Sequence, residues 1–375
     1  MDVSVVAGSG RYAGGVRLLR REEWRGVHIR RVRCTSLGRA GAGRRLTDYA
    51  TYFVQTAARV ISMRAPDVVV CLSTPPLLAV LGPVARQRGA RFVYKVEDLY
   101  PDLAFALGVL QEHSAVGRTL ARLSRAILAR ADAVVALDEP MAQALHTRGA
   151  RRVEVIPNWA DGEKIWPDFE AGDRFRREER LEDRFVVLYA GNLGRAHRFD
   201  AVLEAAKALA VGEPRVLFLF VGDGPRLAEV RAAFLDSTNV RLMPYQSAER
   251  LNALLNAADI HLVTIRDEAA ELLVPSKYAA ALAAGKPVLL VGGRFCAMAK
   301  EIEGKELGLS CDHDAQQIAS AVLAACGDQT GARRLGENGR RVFTKRYDRR
   351  MATAQWANLL SSLMRSPMTG KGSGG

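Results

Sequence analysis

The chain has 375 residues, 49% of them hydrophobic and 25% charged, an ordinary soluble balance with enough length for two separate cores. Its 54 Lys and Arg against 41 Asp and Glu leave a net charge of +13, which favours anionic partners: phosphorylated ligands, nucleic acid or acidic lipid. Five dispersed cysteines with no CxxC pair and six scattered histidines speak against a disulfide framework and a metal centre, and fit a reduced, cytosolic compartment.

Met1 leads directly into a strand-like DVSVVAG, with no secretory leader pattern. GSGRYAGG (Gly8 to Gly15) is glycine-rich, yet VRLLRREEW and an arginine-rich stretch follow it instead of an amphipathic helix. The first unit therefore lacks the strand, glycine-rich turn and helix with which a doubly wound nucleotide-type domain opens. Arg44 to Arg64 predicts an amphipathic helix with Tyr49, Phe53, Ala57, Val60 and Ile61 on one side. That stripe is either core or, with the basic Arg118, Arg122, Arg125 and Arg130, a surface for anionic lipid. Nucleic acid is disfavoured, because these cations lack interleaved aromatics and no reading module is present. The apolar run Val68 to Ala85 is interrupted by Ser73, Thr74, Pro75, Pro76 and Pro83; it reads as strand, turn and helix start, not a membrane span.

Apolar runs of strand length then recur, each followed by a glycine or proline break and a helical pattern. The first set is Val3–Ala7, Val68–Leu72, Phe92–Val96, Ala133–Leu137 and Val153–Ile156. The second is Phe185–Ala190, Val216–Val221, Val240–Met243, Ile260–Val263 and Val288–Val291. Continuous Val/Ile/Leu runs alternating with helices are what a parallel sheet covered on both faces requires. The pattern predicts an α/β chain of two doubly wound domains. The boundary falls after VIPNWAD (Val155 to Asp161): residues 1–160, then 161–365, then a Gly/Ser-rich, disordered tail over 366–375. Gly162 to Arg184 reads as charged and irregular, and Glu337 to Met364 as one helix with Trp356, Leu359, Leu360 and Met364 on its apolar stripe.

The chemistry concentrates at strand ends in the second half. GNLG (Gly191 to Gly194) follows a buried strand and precedes a helix; its glycines admit a ligand close to the backbone, and Arg195 and Arg198 are placed to neutralise a diphosphate. The alternative is a plain turn with two solvated arginines. VGDGP (Val221 to Pro225), with Gly222, is a weaker signal that a simple tight turn explains equally. In VPSK (Val274 to Lys277), Pro275 suits a first helical turn, Ser276 a cap, and Lys277 adds a cation near exposed N–H groups; an ordinary capped helix is the other reading. In the first half, YKVEDLYPD (Tyr94 to Asp102) sets three acids at a strand end. Asp98 is a candidate for contacting or polarising an acceptor hydroxyl, against a charged loop capping the next helix, and the acids lack metal-pair spacing.

STPP (Ser73 to Pro76), VEDLYPDLAFALG, ADAVVAL, VIPNWAD, YAGNLGRAHRFDAVLEAA, VGDGP, PYQ, VPSKYAAALAAGKPV and ENGRR occur in that order. Over nearly the whole chain, to about Leu363, this resembles bacterial glycosyltransferases of family 4, with the GT-B fold of two Rossmann-like domains facing across a cleft. The likeness is greatest to the branch that builds O-antigen, capsule or exopolysaccharide. The resemblance implies a retaining, metal-independent and cofactor-free hexosyl or N-acetylhexosaminyl transferase. A nucleotide-sugar, UDP-linked, would bind the second domain and a polyprenyl-diphosphate-linked acceptor the first, at the cytoplasmic face of an anionic membrane. It places Gly191, Asn192, Arg195, Arg198, Gly222, Pro275, Ser276 and Lys277 at the donor, its diphosphate above all, Tyr245 and Gln246 near the base, and Asp98 near the acceptor or reacting sugar; Asp98, Arg198 and Lys277 are the catalytic candidates. The family's paired glutamates are broken here: the ribose-holding one falls at Ala280, and Glu271 lies near the first position, out of register. His197-Arg198 stands where relatives often carry glutamine and glycine. Two other readings remain: a non-catalytic nucleotide-binding remnant, and a UDP-sugar epimerase of the same architecture.

Overall fold

The computed structural model describes residues 1–9, 18–37 and 42–365; residues 10–15 of the glycine-rich run and the predicted 366–375 tail lie outside them. Strands β1 (Val3–Gly8), β2 (Arg21–Trp24) and β3 (Val27–Val32) form a sheet in the order β1-β3-β2, with β1 parallel and β2 antiparallel to β3. The hairpin turns at Arg25 and Gly26, both at positive φ, the backbone a two-residue hairpin loop needs. Helix α1 (Ala42–Ser62) leads to β4 (Val68–Leu72), α2 (Leu81–Gln87), β5 (Arg91–Lys95), α3 (Asp102–Ala106), α4 (Ala115–Arg130), β6 (Ala133–Ala136), α5 (Glu139–Thr147) and β7 (Val153–Val155). These strands form a parallel sheet in the order β4-β5-β6-β7. Among the described residues β1 pairs only with β3 and β4 only with β5, and Val3, Val5, Val70 and Leu72 are exposed along those edges. The first half is thus split into two sheets, whereas the sequence pattern predicted one doubly wound domain with Val3–Ala7 among its strands.

The second half runs α6 (Phe169–Glu179), β8 (Phe185–Ala190), α7 (Asp200–Gly212), β9 (Val216–Val221), α8 (Leu227–Asp236), β10 (Val240–Met243), α9 (Ala248–Asn256), β11 (Ile260–Thr264), α10 (Lys277–Ala283), β12 (Val288–Val291), α11 (Ala297–Gly304), β13 (Gly308–Cys311), α12 (Ala315–Gly327) and α13 (Gln329–Val342). All six strands are parallel, in the order β10-β9-β8-β11-β12-β13. Counted within this half that is 3-2-1-4-5-6, the doubly wound order in which the chain reverses direction between its first and fourth strands. Side chains alternate: Val186, Leu188 and Val263 enter one core with α9 and α10, while Val187, Tyr189 and Leu262 enter the other with α7 and α12. Both faces are covered, which is why these strands read as unbroken apolar runs.

Three expectations change. The segment from Gly162 to Arg184 is not irregular: Asp168 accepts from the Ala171 amide and caps α6, which buries Ala171 and Phe175 beneath a charged outer face. The predicted single helix from Glu337 is broken by a π turn at Phe343–Tyr347 and an extended Asp348 that bridges to Ala160 before α14 (Arg349–Arg365) starts. Leu359 and Leu363 of α14 are buried with Val93, Ala133, Val135 and Ile156, Trp356 and Leu360 pack beside them, and Met364 is exposed. Residues 349–365, read from sequence with the second half, therefore close one face of the first half's parallel sheet. Among the described residues no helix is long and apolar enough to cross a membrane.

Candidate functional site

The loop after β8 and the end of β11 flank the point where the second sheet reverses direction, the edge at which an open α/β sheet forms a crevice. A cavity of about 660 Å³ lies there. Gly191, Asn192, Arg195, His197, Tyr245, Gln246, Pro275, Ser276, Lys277 and Ala280 line it from the second half. Asp98, Tyr100, Leu103, Ala104, Leu107 and Val109 line it from the first. The second half brings the cavity's cations, Arg195 and Lys277, among apolar neighbours such as Leu251, Leu254 and Val274; the first-half wall is mostly apolar.

The GNLG loop is held from beneath. The Gly191 and Leu193 amides donate to the carbonyls of Val221 and Asp223, and the Arg226 amide donates to the Leu193 carbonyl. Gly222 has φ +149°, and a Cβ there would stand 2.0 Å from the Gly191 oxygen. Gly222 is accordingly not a cavity residue: its lack of a side chain lets the VGDGP turn underlie the loop that is. Tyr189, buried at the end of β8, donates its hydroxyl to the Asn192 carbonyl at 2.7 Å and fixes the same loop from the side.

Lys277 opens α10 with its ammonium 4.6 Å from the Tyr189 ring centroid and 3.2 Å from His197 Nε2. It has no carboxylate partner among the described residues, and burial lowers its pKa to about 7. A half-buried ammonium with no counter-charge makes an anion-seeking centre. Arg195, beside it in the lining, is exposed. Arg198 is turned away: its guanidinium forks onto Asp200 at 2.7–3.0 Å, outside the cavity lining, because that carboxylate lies two residues on at the start of α7. Glu271 is exposed and likewise outside the lining. Pro275 precedes the helix instead of occupying its first turn, and Ser276 stands at the N-cap position without a side-chain cap bond, exposed toward the cavity.

Across the cavity the three acids separate. Glu97 pairs with Lys95, Asp102 pairs with Arg148, and only Asp98 faces the crevice. The Ser73 hydroxyl, in STPP, accepts from the Glu97 and Asp98 amides at 2.9 and 3.2 Å and sets the turn. Backbone pairing then crosses the cleft: Asp98 bridges Leu273, and the Leu99 amide donates to the Leu272 carbonyl at 2.9 Å. Burial first, and neighbouring Glu97 second, push Asp98 up to about 6. The sequence pattern left out the apolar wall of Tyr100, Leu103, Leu107 and Val109, and it marked His197 only as a departure from the family, without a place in the site. The wall is legible only in DLAFALGVL as a short helix, and Leu103 is buried in the second half's core. Among the described residues no group of three or more His, Cys, Asp or Glu is gathered to hold a metal ion.

Residues 1–159 match the model of the glycosyl transferase 4-like domain and residues 184–328 that of glycosyl transferases group 1. Among similar proteins is WbjE of Pseudomonas aeruginosa, a probable glycosyltransferase, 27% identical over 308 residues, 80% of this chain and 76% of that one. Another is WcaI of Escherichia coli, a putative colanic acid biosynthesis glycosyl transferase, 29% identical over 237 residues, 61% of this chain and 56% of that relative's length. Among solved structures, sucrose-phosphate synthase of Thermosynechococcus elongatus superposes with a TM-score of 0.72 at 19% identity, covering 96% of this chain and 89% of that one. HepE of Anabaena in complex with UDP-glucose gives 0.68 at 19%, covering 90% and 86%; at such identities the likeness is one of fold, two Rossmann-like domains in the GT-B arrangement.

Proposed function

Because the chain belongs to the glycosyltransferases, a 4-like domain followed by a group 1 domain, we propose that it moves a hexosyl or N-acetylhexosaminyl unit from a UDP-sugar to a lipid-linked saccharide with retention of configuration, in building a cell-surface polysaccharide. The observation that carries the donor half of this reading is the uncompensated Lys277 ammonium in the crevice at the sheet's reversal point. A nucleoside diphosphate supplies the missing anion. Lys277 and Arg195 then stabilise the charge that builds on the leaving diphosphate, as cations placed in advance do for any departing phosphate. The open GNLG backbone and Ser276 line the same cavity, as do Tyr245 and Gln246, which would hold the base. The relatives WbjE and WcaI, and HepE bound to UDP-glucose, support the same reading.

Residues 1–160 would hold the acceptor and 161–365 the donor. Asp98, alone of its three acids, is positioned to orient the acceptor hydroxyl or the reacting sugar. The apolar wall ending in exposed Val109 suits an acceptor with a hydrocarbon portion. Beyond it, α4 presents the exposed cations Arg118, Arg122 and Arg125, spaced to share a helix face that would rest on anionic lipid at the cytoplasmic side of the membrane.

Thermal unfolding with UDP, GDP, CDP, ADP and UDP-sugars tests the donor site. A ligand bound only by the folded chain adds about 2.7 kcal/mol at a hundred times Kd. A saturable shift with UDP that Lys277→Ala abolishes is the expected result, followed by sugar transfer to polyprenyl-linked acceptors and the anomeric signal of the product. Unchanged unfolding with every nucleotide would overturn the proposal.

A further inference from the structure

His197 is buried in the cavity wall, at 8% exposure, and both its ring nitrogens are engaged. Nδ1 faces the Thr264 carbonyl at the end of β11, and Nε2 faces the Lys277 ammonium. A carbonyl only accepts and an ammonium only donates, so one arrangement satisfies both: the proton sits on Nδ1, and Nε2 is a bare acceptor. The ring is locked on its other sides. It packs edge-on to Tyr189 at 5.8 Å between centroids and against Phe199 at 6.3 Å. Thr264 also holds the next residue twice, accepting from the Arg198 amide and donating to the Arg198 carbonyl.

We infer that His197 is a positioning residue: a permanently neutral imidazole that holds the Lys277 ammonium over the cavity without neutralising it. The argument is geometric. An ammonium carries three N–H donors on a flexible four-carbon stem. A carboxylate neighbour would fix it but cancel the charge a phosphate needs. His197 takes one donor, the Tyr189 ring face attracts the ammonium from another side, and donor capacity remains toward the cavity. Burial and the adjacent Lys277 keep the ring from taking a second proton, which would turn the acceptor into a competing cation. This rests on the cavity being a nucleoside-diphosphate site, and one arm of the test is free of that reading.

The test combines side-chain 15N NMR of the free protein with UDP titration of the wild type, His197→Gln and His197→Leu at pH 7. The expected spectrum shows His197 protonated at Nδ1 only, unchanged from pH 5.5 to 8. Glutamine can present an oxygen to Lys277 and an amide to Thr264; leucine can present neither. His197→Gln should bind UDP within about twofold of wild type, and His197→Leu about tenfold more weakly, the scale of one charge-assisted hydrogen bond. A ring that titrates near its ordinary value, or one protonated at Nε2, overturns the inference whatever UDP does. So does wild-type affinity in a folded His197→Leu protein. If the wild type itself binds no UDP, the donor-site reading has failed, and the NMR arm alone decides the geometry.

Discussion

Asp98 and Lys277 face one cavity and both titrate near neutrality, Asp98 at about 6 and Lys277 at about 7, because each has lost water. The linkage differs in sign. Between about 4 and 6 the folded chain keeps a proton on Asp98 that the unfolded chain has released, so stability falls as pH rises through that window. Between about 7 and 10.5 the unfolded chain keeps a proton on Lys277 that the folded chain has released, so stability rises with pH there, and below 7 the buried charge costs in full. At pH 7 both groups burden the fold. Asp98→Asn and Lys277→Met should each raise Tm while lowering activity, a trade seen where a site is held under electrostatic strain. Phosphate binding favours protonated Lys277, so UDP affinity should fall as pH rises from 7 to 9, by up to about tenfold per unit, and Lys277→Ala should be weak and flat over that range. For transfer, kcat/KM should climb through an apparent pKa near 6. Asp98→Asn should remove that limb and cost about 10²–10⁴ in kcat with UDP affinity kept, as measured by initial rates and titration.

Elements were legible where burial is two-sided and obscure where it is not. Val216–Val221 is continuous apolar sequence because both faces of β9 are covered, and its span was readable to the residue. REEW and VHIRRV were not read as β2 and β3, because their sheet is largely exposed and its turn, Arg25-Gly26, lacks the Asn-Gly or Asp-Gly signal. Helix α6 hid behind the charges of RFRREE, although Asp168 is a residue type favoured at a helix N-cap. Gly222 shows the same limit at the site: its spacing suggested ligand contact, while its neighbour turned out to be the Gly191 carbonyl. Gly222→Ala should therefore cost about 2 kcal/mol or more in denaturant unfolding, through overpacking and a strained φ, and lose nucleotide binding as the GNLG loop is displaced.

Across the whole molecule the two halves are stitched twice, once by the backbone pairing of Asp98 and Leu99 with Leu272 and Leu273, and once by α14 returning over the first sheet. Leu359 is 5% exposed in that second seam, and Leu359→Ala should cost about 2–5 kcal/mol, read as a fall in denaturant midpoint. The sequence by itself determined the class of fold, nearly all the parallel strands and most of the cavity's polar residues. Those are local properties: an apolar run, a glycine after a strand, a lysine at a helix start each declare themselves within a few positions. Only the tertiary structure decided which candidates face the cavity. Arg198 is taken by Asp200, Glu97 and Asp102 by cations of their own, and His197 acquires its role from Thr264 and Lys277, 67 and 80 residues away. Side-chain direction and partnership depend on contacts between segments distant in the chain, and no local pattern encodes them.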